Sequence, residues 1–356
     1  MKICFVIDKL GVGGAERVMT VLANEMIKKG HSVFLIEASV ETPSNFYFLD
    51  PCVTHINNLR ANKQGVFKKI NFLRKTFKTI TPEIVVSFKY MVNFYTHVAL
   101  FGLHIPHVMS ERNNPYTYSD NFIAKHFKKL FYKMAQGTVF QTQMAQDFYF
   151  PKKRKNNSCV IPNPVLVAED IYRPQNLQFE KAFVSVGRLA EQKNFPLVIN
   201  AFSKFVKIQP DYCLKIFGEG PLKNDLLELA KQKKVDDKVI FKGNSDTWHK
   251  EIIKDCAFIM SSNYEGMPNA LMESLALGVP SISTDCPCGG PAFLIKNREN
   301  GLLIEPNNED ELVEAMLTIT EESMQEKFRE ANRGFRSKFS ISAITDLWID
   351  FFGTLL

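Results

Sequence analysis

Short runs of β-branched and aromatic residues alternate with helical patterns almost from one end of the chain to the other, and no other feature limits its possible folds so tightly. Strand-like runs fall at residues 2–7, 32–37, 53–56, 84–88, 107–110, 138–141 and 159–161, with helical stretches such as 15–29, 66–80 and 120–135 between them. In the second half the runs are 182–186, 213–217, 239–242, 258–261, 280–284 and 301–304. Such repetition predicts parallel sheets covered by helices on both faces. With 356 residues, and about 100–200 residues per domain, two doubly wound α/β domains are the economical arrangement. Pro162-Asn163-Pro164 interrupts the alternation and is the expected boundary. The first domain is then 1–164 and the second 165–339. The tail carries Leu347, Trp348, Phe351 and Phe352 at helical spacing and needs an apolar surface, so 340–356 are expected to return to the first domain.

Apolar residues make up 45% of the chain and 30 are Phe, which excludes a disordered or fibrous protein. No unbroken apolar run approaches the roughly 20 residues needed to span a bilayer, and Asp8 arrives too early for a signal-peptide core. A soluble or peripheral intracellular protein is expected. Seven cysteines without framework spacing suit reduced thiols, and Cys286-Pro-Cys288 lacks the companion ligands of a metal site and reads as loop. Charge is divided unevenly. Residues 1–164 hold 17 Lys and 5 Arg against 10 acids, a balance of +12, and the remainder balances at −6. A basic half can meet nucleic acid, an anionic membrane or a diphosphate, or simply present a solvated face. No aromatic-basic module accompanies it, so no nucleic acid is expected.

Three segments could carry chemistry. After the first strand, Gly11-Val12-Gly13-Gly14-Ala15-Glu16 opens a helix, where bare backbone and free N–H groups suit a phosphate; a tight structural turn is the equal alternative. A dinucleotide fingerprint with Glu37 as ribose acid is disfavoured, because Glu16 stands where that motif needs a small residue. The first strand of the second domain ends in Gly187-Arg188-Leu189, and Lys193 follows five positions after Arg188, so two cations can turn toward one diphosphate. An ordinary charged loop is the competing reading. The third segment, Glu265-Gly266-Met267-Pro268-Asn269-Ala270-Leu271-Met272-Glu273, follows a strand and starts a short helix, with Pro268 expected at its first position and Gly278 at its stop. Its carboxylates can accept from sugar hydroxyls while the helix amides hold an anion. Alone, Glu273 reads as a surface position.

Taken together, Gly13-Gly14-Ala15-Glu16-Arg17-Val18, Gly187-Arg188-Leu189 with Lys193, and the pair Glu265 and Glu273 make a chain that resembles the retaining glycosyltransferases of family 4, over nearly its whole length. The resemblance implies the GT-B fold, two Rossmann-like domains facing across a cleft. It implies transfer of a hexose or N-acetylhexosamine from a nucleotide-sugar, with UDP the expected nucleotide, to a sugar acceptor in polysaccharide or glycan assembly. Arg188 and Lys193 would then neutralise the departing diphosphate, Glu265 would contact the transferred sugar, and Glu273 the ribose. Gly187, Gly266, Met267, Pro268, Asn269, Ala270 and Leu271 would line the donor, Lys242 would lie beside the base, and Gly13 and Gly14 would give bare backbone to diphosphate and acceptor. Many relatives carry a His where this chain has Arg112, which is expected in the site with its role open. No Asp-x-Asp triplet is placed to hold a metal, so a metal-independent reaction without cofactor is expected. A nucleotide-sugar epimerase, a phosphorylase and a non-catalytic nucleotide-binding partner are the competing readings.

The expected acceptor-binding domain contains the run 120–135, where Phe122, Ile123, Phe127, Leu130, Phe131 and Met134 are interleaved with Lys125, Lys128, Lys129 and Lys133; 65–80 repeats the theme with Lys68, Lys69, Arg74, Lys75 and Lys78. Such helices can lie on an anionic membrane or embrace a lipid diphosphate, or place one face on the core and the lysines in water. The expectation drawn is a lipid-linked acceptor and peripheral contact at the inner face of the cell membrane.

Overall fold

The computed structural model of the chain describes residues 1–11, 13–39, 47–58, 65–112, 114–115, 122–151, 157–168, 170–175, 177–245 and 247–356. It divides into two compact units, Met1–Pro164 with Ile341–Leu356, and Val165–Ser340. In unit 1 the order is β1 (Lys2–Ile7), α1 (Gly14–Lys28), β2 (Ser32–Glu37), β3 (Thr54–Asn57), α2 (Val66–Ile80), β4 (Ile84–Phe88), α3 (Tyr90–Leu100), β5 (His107–Ser110), α4 (Phe122–Tyr132), β6 (Gly137–Phe140), α5 (Gln143–Tyr149) and β7 (Ser158–Val160). The described strands of unit 1 form a parallel sheet in the order β3-β2-β1-β4-β5-β6-β7. Ile3 to Ile7 are fully buried, as a central strand covered on both faces requires.

Unit 2 runs β8 (Glu180–Val186), α6 (Phe195–Phe205), β9 (Cys213–Phe217), α7 (Lys223–Gln232), β10 (Val239–Gly243), α8 (Trp248–Ile252), β11 (Asp255–Met260), α9 (Asn269–Ala276), β12 (Ser281–Thr284), α10 (Gly290–Leu294), β13 (Leu302–Ile304), α11 (Glu309–Ile319), α12 (Glu322–Ala331) and α13 (Phe335–Lys338). Its parallel sheet has the order β10-β9-β8-β11-β12-β13. A core of Phe183, Phe202, Phe205 and Tyr212 fills one face, with Phe205 edge-on to both Phe183 and Tyr212.

In each sheet the order of strands reverses once, between β1 and β4 in unit 1 and between β8 and β11 in unit 2. Ligands of doubly wound folds bind outside the carboxyl ends of the strands at this switch point. The loops that leave these four strands are therefore where function is to be sought.

The last helix, α14 (Ile341–Gly353), belongs to unit 1 and packs on α1. Trp348 and Phe352 are fully buried, Trp348 lies 5.9 Å from the Phe88 ring, and Lys29 of the segment after α1 reaches Asp346 at 2.8 Å. A Cβ on Gly137 would stand 2.6 Å from Leu355 Cδ1, so the tail lies directly against bare backbone at the start of β6.

Two boundaries differ from the sequence reading for a physical reason. β11 begins at Asp255 and not at Phe258, because Lys215 of β9 reaches the fully buried Asp255 carboxylate at 2.6 Å and lets the ladder continue through a charge. Pro268 is the N-cap of α9 rather than its first residue, with an extended backbone at φ −78° and ψ 103°.

Candidate functional site

At the switch point of unit 2, two loops are sewn together. The loop after β8 closes in a 3₁₀ turn over Glu191–Lys193, and Asn194 in the left-handed region redirects the chain into α6. Asn263 donates its backbone N–H to Gln192 O at 2.8 Å and its side-chain amide to Glu191 O at 2.9 Å. Gln192 donates to Tyr264 O at 3.0 Å and Ser261 Oγ to Lys193 O at 2.7 Å. These bonds fix Lys193 opposite Glu265. Its Nζ lies 2.5 Å from Glu265 Oε1, which also accepts from Ser262 Oγ at 2.8 Å. The Lys193 side chain runs along Gly187, where a Cβ would come within 3.1 Å of its Cε. Arg188, on the same loop, is exposed and has no carboxylate partner among the described residues. The structure thus brings Gly187, Lys193 and Glu265 together, with Arg188 next to Gly187 on the same loop.

Two supports of this geometry escape the sequence reading. The Gly218-Glu219-Gly220 turn after β9 packs backbone to backbone on the Gly187–Leu189 loop. A Cβ on Gly218, whose φ is +133°, would stand 2.0 Å from Gly187 O, and one on Gly220 2.3 Å from Leu189 O. Glu219 O accepts from Leu189 N–H at 3.0 Å. The second support is Cys286-Pro287-Cys288, read from sequence as an ordinary loop. It clamps the acid: Glu265 N–H donates to Pro287 O at 2.9 Å and Cys288 N–H to Glu265 O at 3.2 Å. Both thiols are buried, and burial pushes Cys286 up to about 12, which disfavours its thiolate. Gly290 completes the cradle, since a Cβ there would stand 2.0 Å from Gly266 O.

Along α9, Leu271 is fully buried and Met267 is 6% exposed, so these two can offer a ligand only their backbones, while Asn269 and Ala270 are partly exposed. Pro268 has no side-chain acceptor with which to close the first turn. Glu273, one turn further on, is 3% exposed and accepts from His249 Nε2 at 2.9 Å. Lys242 Nζ meets Glu251 of α8 at 3.0 Å, so α8 holds partners of both residues.

Unit 1 carries a comparable constellation with the signs exchanged. The acid here follows the first strand: Glu16, 6% exposed, folds back over Gly13, whose Cβ would lie 2.1 Å from Glu16 Oε2. Its cation is Lys89, the residue directly after β4, with φ +75° and ψ 143°, a conformation that only glycine adopts without strain. Beside them Asp8 accepts from Lys69 Nζ and from Tyr95 Oη, each at 3.0 Å. Burial opposes the Asp8 charge, but Lys69 by its hydrogen bond and charge, with Ser39 and Tyr95, holds its pKa below the usual range. Glu37 is consumed internally by Leu10 N–H at 2.6 Å and His55 Nε2 at 2.7 Å, which removes the dinucleotide alternative.

Arg112 is more enclosed than a residue following a strand need be. It is buried, with its guanidinium 4.1 Å from the Phe88 ring centroid and 5.5 Å from that of Trp348, and Nη1 donates to Asn163 Oδ1 at 2.7 Å. Burial pushes its pKa down to about 9, against the pull of Glu111. The geometry makes it an anchor between β5 and α14. Lys128 also departs from the sequence reading: it points inward, 2.9 Å from Glu111, whose carboxylate accepts from Tyr132 and Tyr149. Lys69 and Arg74 likewise serve the interior, Arg74 by donating to Ala99 O and Phe101 O.

The family model for Glycosyltransferase Family 4 matches residues 12–169, and that for Glycosyl transferases group 1 matches residues 169–335. The chain is 27% identical to an uncharacterised glycosyltransferase of Haemophilus influenzae, with 98% of both chains covered. It is 28% identical to a Campylobacter jejuni alpha-1,4-N-acetyl-D-galactosaminyltransferase named for a PP-undecaprenol-linked acceptor, covering 98% of this chain and 97% of that protein. Among solved structures, HepE of Anabaena in complex with UDP and glucose shares the fold, with a TM-score of 0.82 at 14% identity over 99% of this chain and all of that one.

Proposed function

The chain belongs to the group 1, family 4 glycosyltransferases of GT-B fold, and on that premise we propose that it moves a hexose or N-acetylhexosamine from a UDP-linked donor to a lipid-linked sugar, without a metal ion and with retention of configuration. The observation that carries this reading is Lys193 held on Glu265, on the loop that also carries the exposed Arg188. As the bond from the sugar C1 to the β-phosphate oxygen breaks, its electron pair passes to that oxygen, and the two cations stabilise the charge. The acceptor hydroxyl bonds to C1 on the face the phosphate leaves, and its proton passes to the departing phosphate. Glu265 accepts from hydroxyls of the sugar, Glu273 from the ribose, and the backbone from Gly266 to Leu271 faces the sugar and phosphate. Lys242 stands on the side of the base. Incubating the purified chain with a panel of UDP-, GDP- and ADP-sugars is expected to give slow hydrolysis of one UDP-sugar that survives chelation. Hydrolysis confined to another nucleotide, or lost with chelator, overturns that part of the reading.

For the acceptor, the mixed cluster of Glu16, Lys89, Asp8, Lys69 and Tyr95 above Gly13 and Gly14 offers acceptors and donors for sugar hydroxyls. The Campylobacter relative acts on a lipid-linked glycan, and the surface of unit 1 suits a bilayer. Met91, Phe94 and Val98 of α3, and Phe127 and Leu130 of α4 with Met134 just after it, are exposed, 37–63% each, at matching spacings on two helices joined through Phe131, which contacts Tyr90, Phe94 and His97. Lys133 is exposed at the end of α4, and Lys68, Lys75 and Lys78 are exposed on α2. No helix of the described residues is long and apolar enough to cross a membrane. Flotation with liposomes containing anionic lipid is expected to carry the chain upward at low salt, and Phe127→Ser with Leu130→Ser to leave it at the bottom. Equal flotation with neutral liposomes, or none with either, contradicts the membrane assignment.

A further inference from the structure

Glu273 has the least hospitable position of the carboxylates in unit 2's site. Its helix neighbours Leu271, Met272, Leu275 and Ala276 are 0–1% exposed, and the residue itself is 3% exposed. A carboxylate withdrawn from water to this degree is held in place by its hydrogen-bond donors. One donor is His249 Nε2 at 2.9 Å, from a helix 24 residues earlier in the chain. Since an ionised carboxylate has no proton to give, Nε2 carries the hydrogen. The ring that presents it is fixed in turn: it lies 4.0 Å from the Trp248 indole with an interplanar angle of 32°, and Trp248, 7% exposed, packs on Phe258 of β11, the strand that leads into the Glu265 loop.

We infer that His249 is a positioning residue for the donor's ribose. Through its Nε2–H it sets the rotation of the Glu273 carboxylate so that the remaining lone pairs meet the ribose hydroxyls. The inference rests on Glu273 binding the ribose, as proposed above. It goes further, because it makes nucleoside recognition depend on an imidazole that touches no part of the donor. A carboxylate offers about four acceptor positions, so the bond from Nε2 can coexist with bonds from a vicinal diol. Without that donor the buried carboxylate loses a charge-assisted bond and a constraint on its orientation, which corresponds to roughly a tenfold loss of affinity.

The test separates positioning from mere packing by varying the ligand as well as the residue. The intact chain is titrated calorimetrically with UDP and with 2′,3′-dideoxy-UDP, which lacks the diol. His249→Phe keeps a ring on Trp248 and removes the N–H, whereas His249→Gln puts an amide N–H near the place of Nε2. The wild-type chain is expected to prefer UDP by tenfold or more. His249→Phe is expected to bind UDP roughly tenfold more weakly and the dideoxy ligand unchanged, and His249→Gln to recover most of the preference. If His249→Phe weakens both ligands equally, or neither while the wild type discriminates, the positioning role is overturned and the ribose assignment stands. A wild-type chain that binds both ligands alike, or binds no UDP, removes the ribose assignment itself and the inference with it.

Discussion

Replacing Lys193 by alanine is expected to lower turnover of the proposed nucleotide-sugar donor roughly 10²–10³-fold, the loss seen when one preorganised donor to a developing oxyanion is removed. The size follows from where the ammonium sits. Its side chain is 21% exposed and that of Glu265 9%, so the pair works in a poorly hydrated corner where a charge acts more strongly than at an open surface. In the chain without ligand the two charges neutralise each other. A diphosphate arriving beside Arg188 brings a second anion to Lys193, so the ammonium is shared between carboxylate and phosphate as the negative charge grows. Arg188→Ala is the cleaner companion: Arg188 is exposed and pairs with no carboxylate among the described residues, so its removal is expected to cost turnover with no change in melting. Lys193→Ala also leaves the Glu265 carboxylate without its cation and is expected to cost about 1–3 kcal/mol of stability. A Lys193→Ala, Glu265→Gln double variant tells the two effects apart. Stability returns toward wild type while turnover stays low, if both residues serve the reaction. Rates near wild type in either cation variant end the assigned role.

The sheets were readable in advance because their strands are short apolar runs separated by helices of clear period, and the charges near Arg188 and Glu265 stand where strand ends place them. What escaped the reading depends on contacts between segments far apart in sequence. Lys128 is one of several lysines on an amphipathic helix, and nothing local distinguishes the one that turns inward; Glu111 and the phenols of Tyr132 and Tyr149 decide it. Arg112 follows a strand as a ligand-binding residue would, but Phe88 and the returning Trp348 enclose it. Gly218 and Gly290 look like ordinary turn glycines until another loop's carbonyl is found 2.0 Å from where a Cβ would be. His249 is a lone histidine whose meaning lies in a carboxylate 24 residues away. In each case periodicity reports which face of an element is apolar, while polar pairing across elements requires the fold first.

Truncating Trp348 to alanine is expected to destabilise unit 1 by about 3–5 kcal/mol, the range for removing a buried aromatic side chain when the cavity cannot close. Three losses combine at this position. The indole is fully buried and lies against Phe88 and Phe352, so its removal opens a void between α14 and the end of β4. It also bounds the Arg112 guanidinium, a cation already disfavoured by burial, which then keeps Phe88 but loses its second aromatic neighbour. Third, α14 lies outside the continuous stretch of unit 1 and is held by side-chain packing together with the Lys29–Asp346 pair, whose carboxylate is more than half exposed and contributes little. The chain has two tryptophans, Trp348 in unit 1 and Trp248 in unit 2, so the variant retains a single indole that reports on unit 2. In urea, the far-ultraviolet circular dichroism of Trp348→Ala is expected to show part of the helix signal lost at lower denaturant, while the Trp248 fluorescence midpoint moves much less. An unchanged dichroism curve would mean that α14 is dispensable to unit 1. Equal displacement of both signals would mean that the two units unfold as one, and that the cost of losing Trp348 is shared by the loops that hold Lys193 and Glu265.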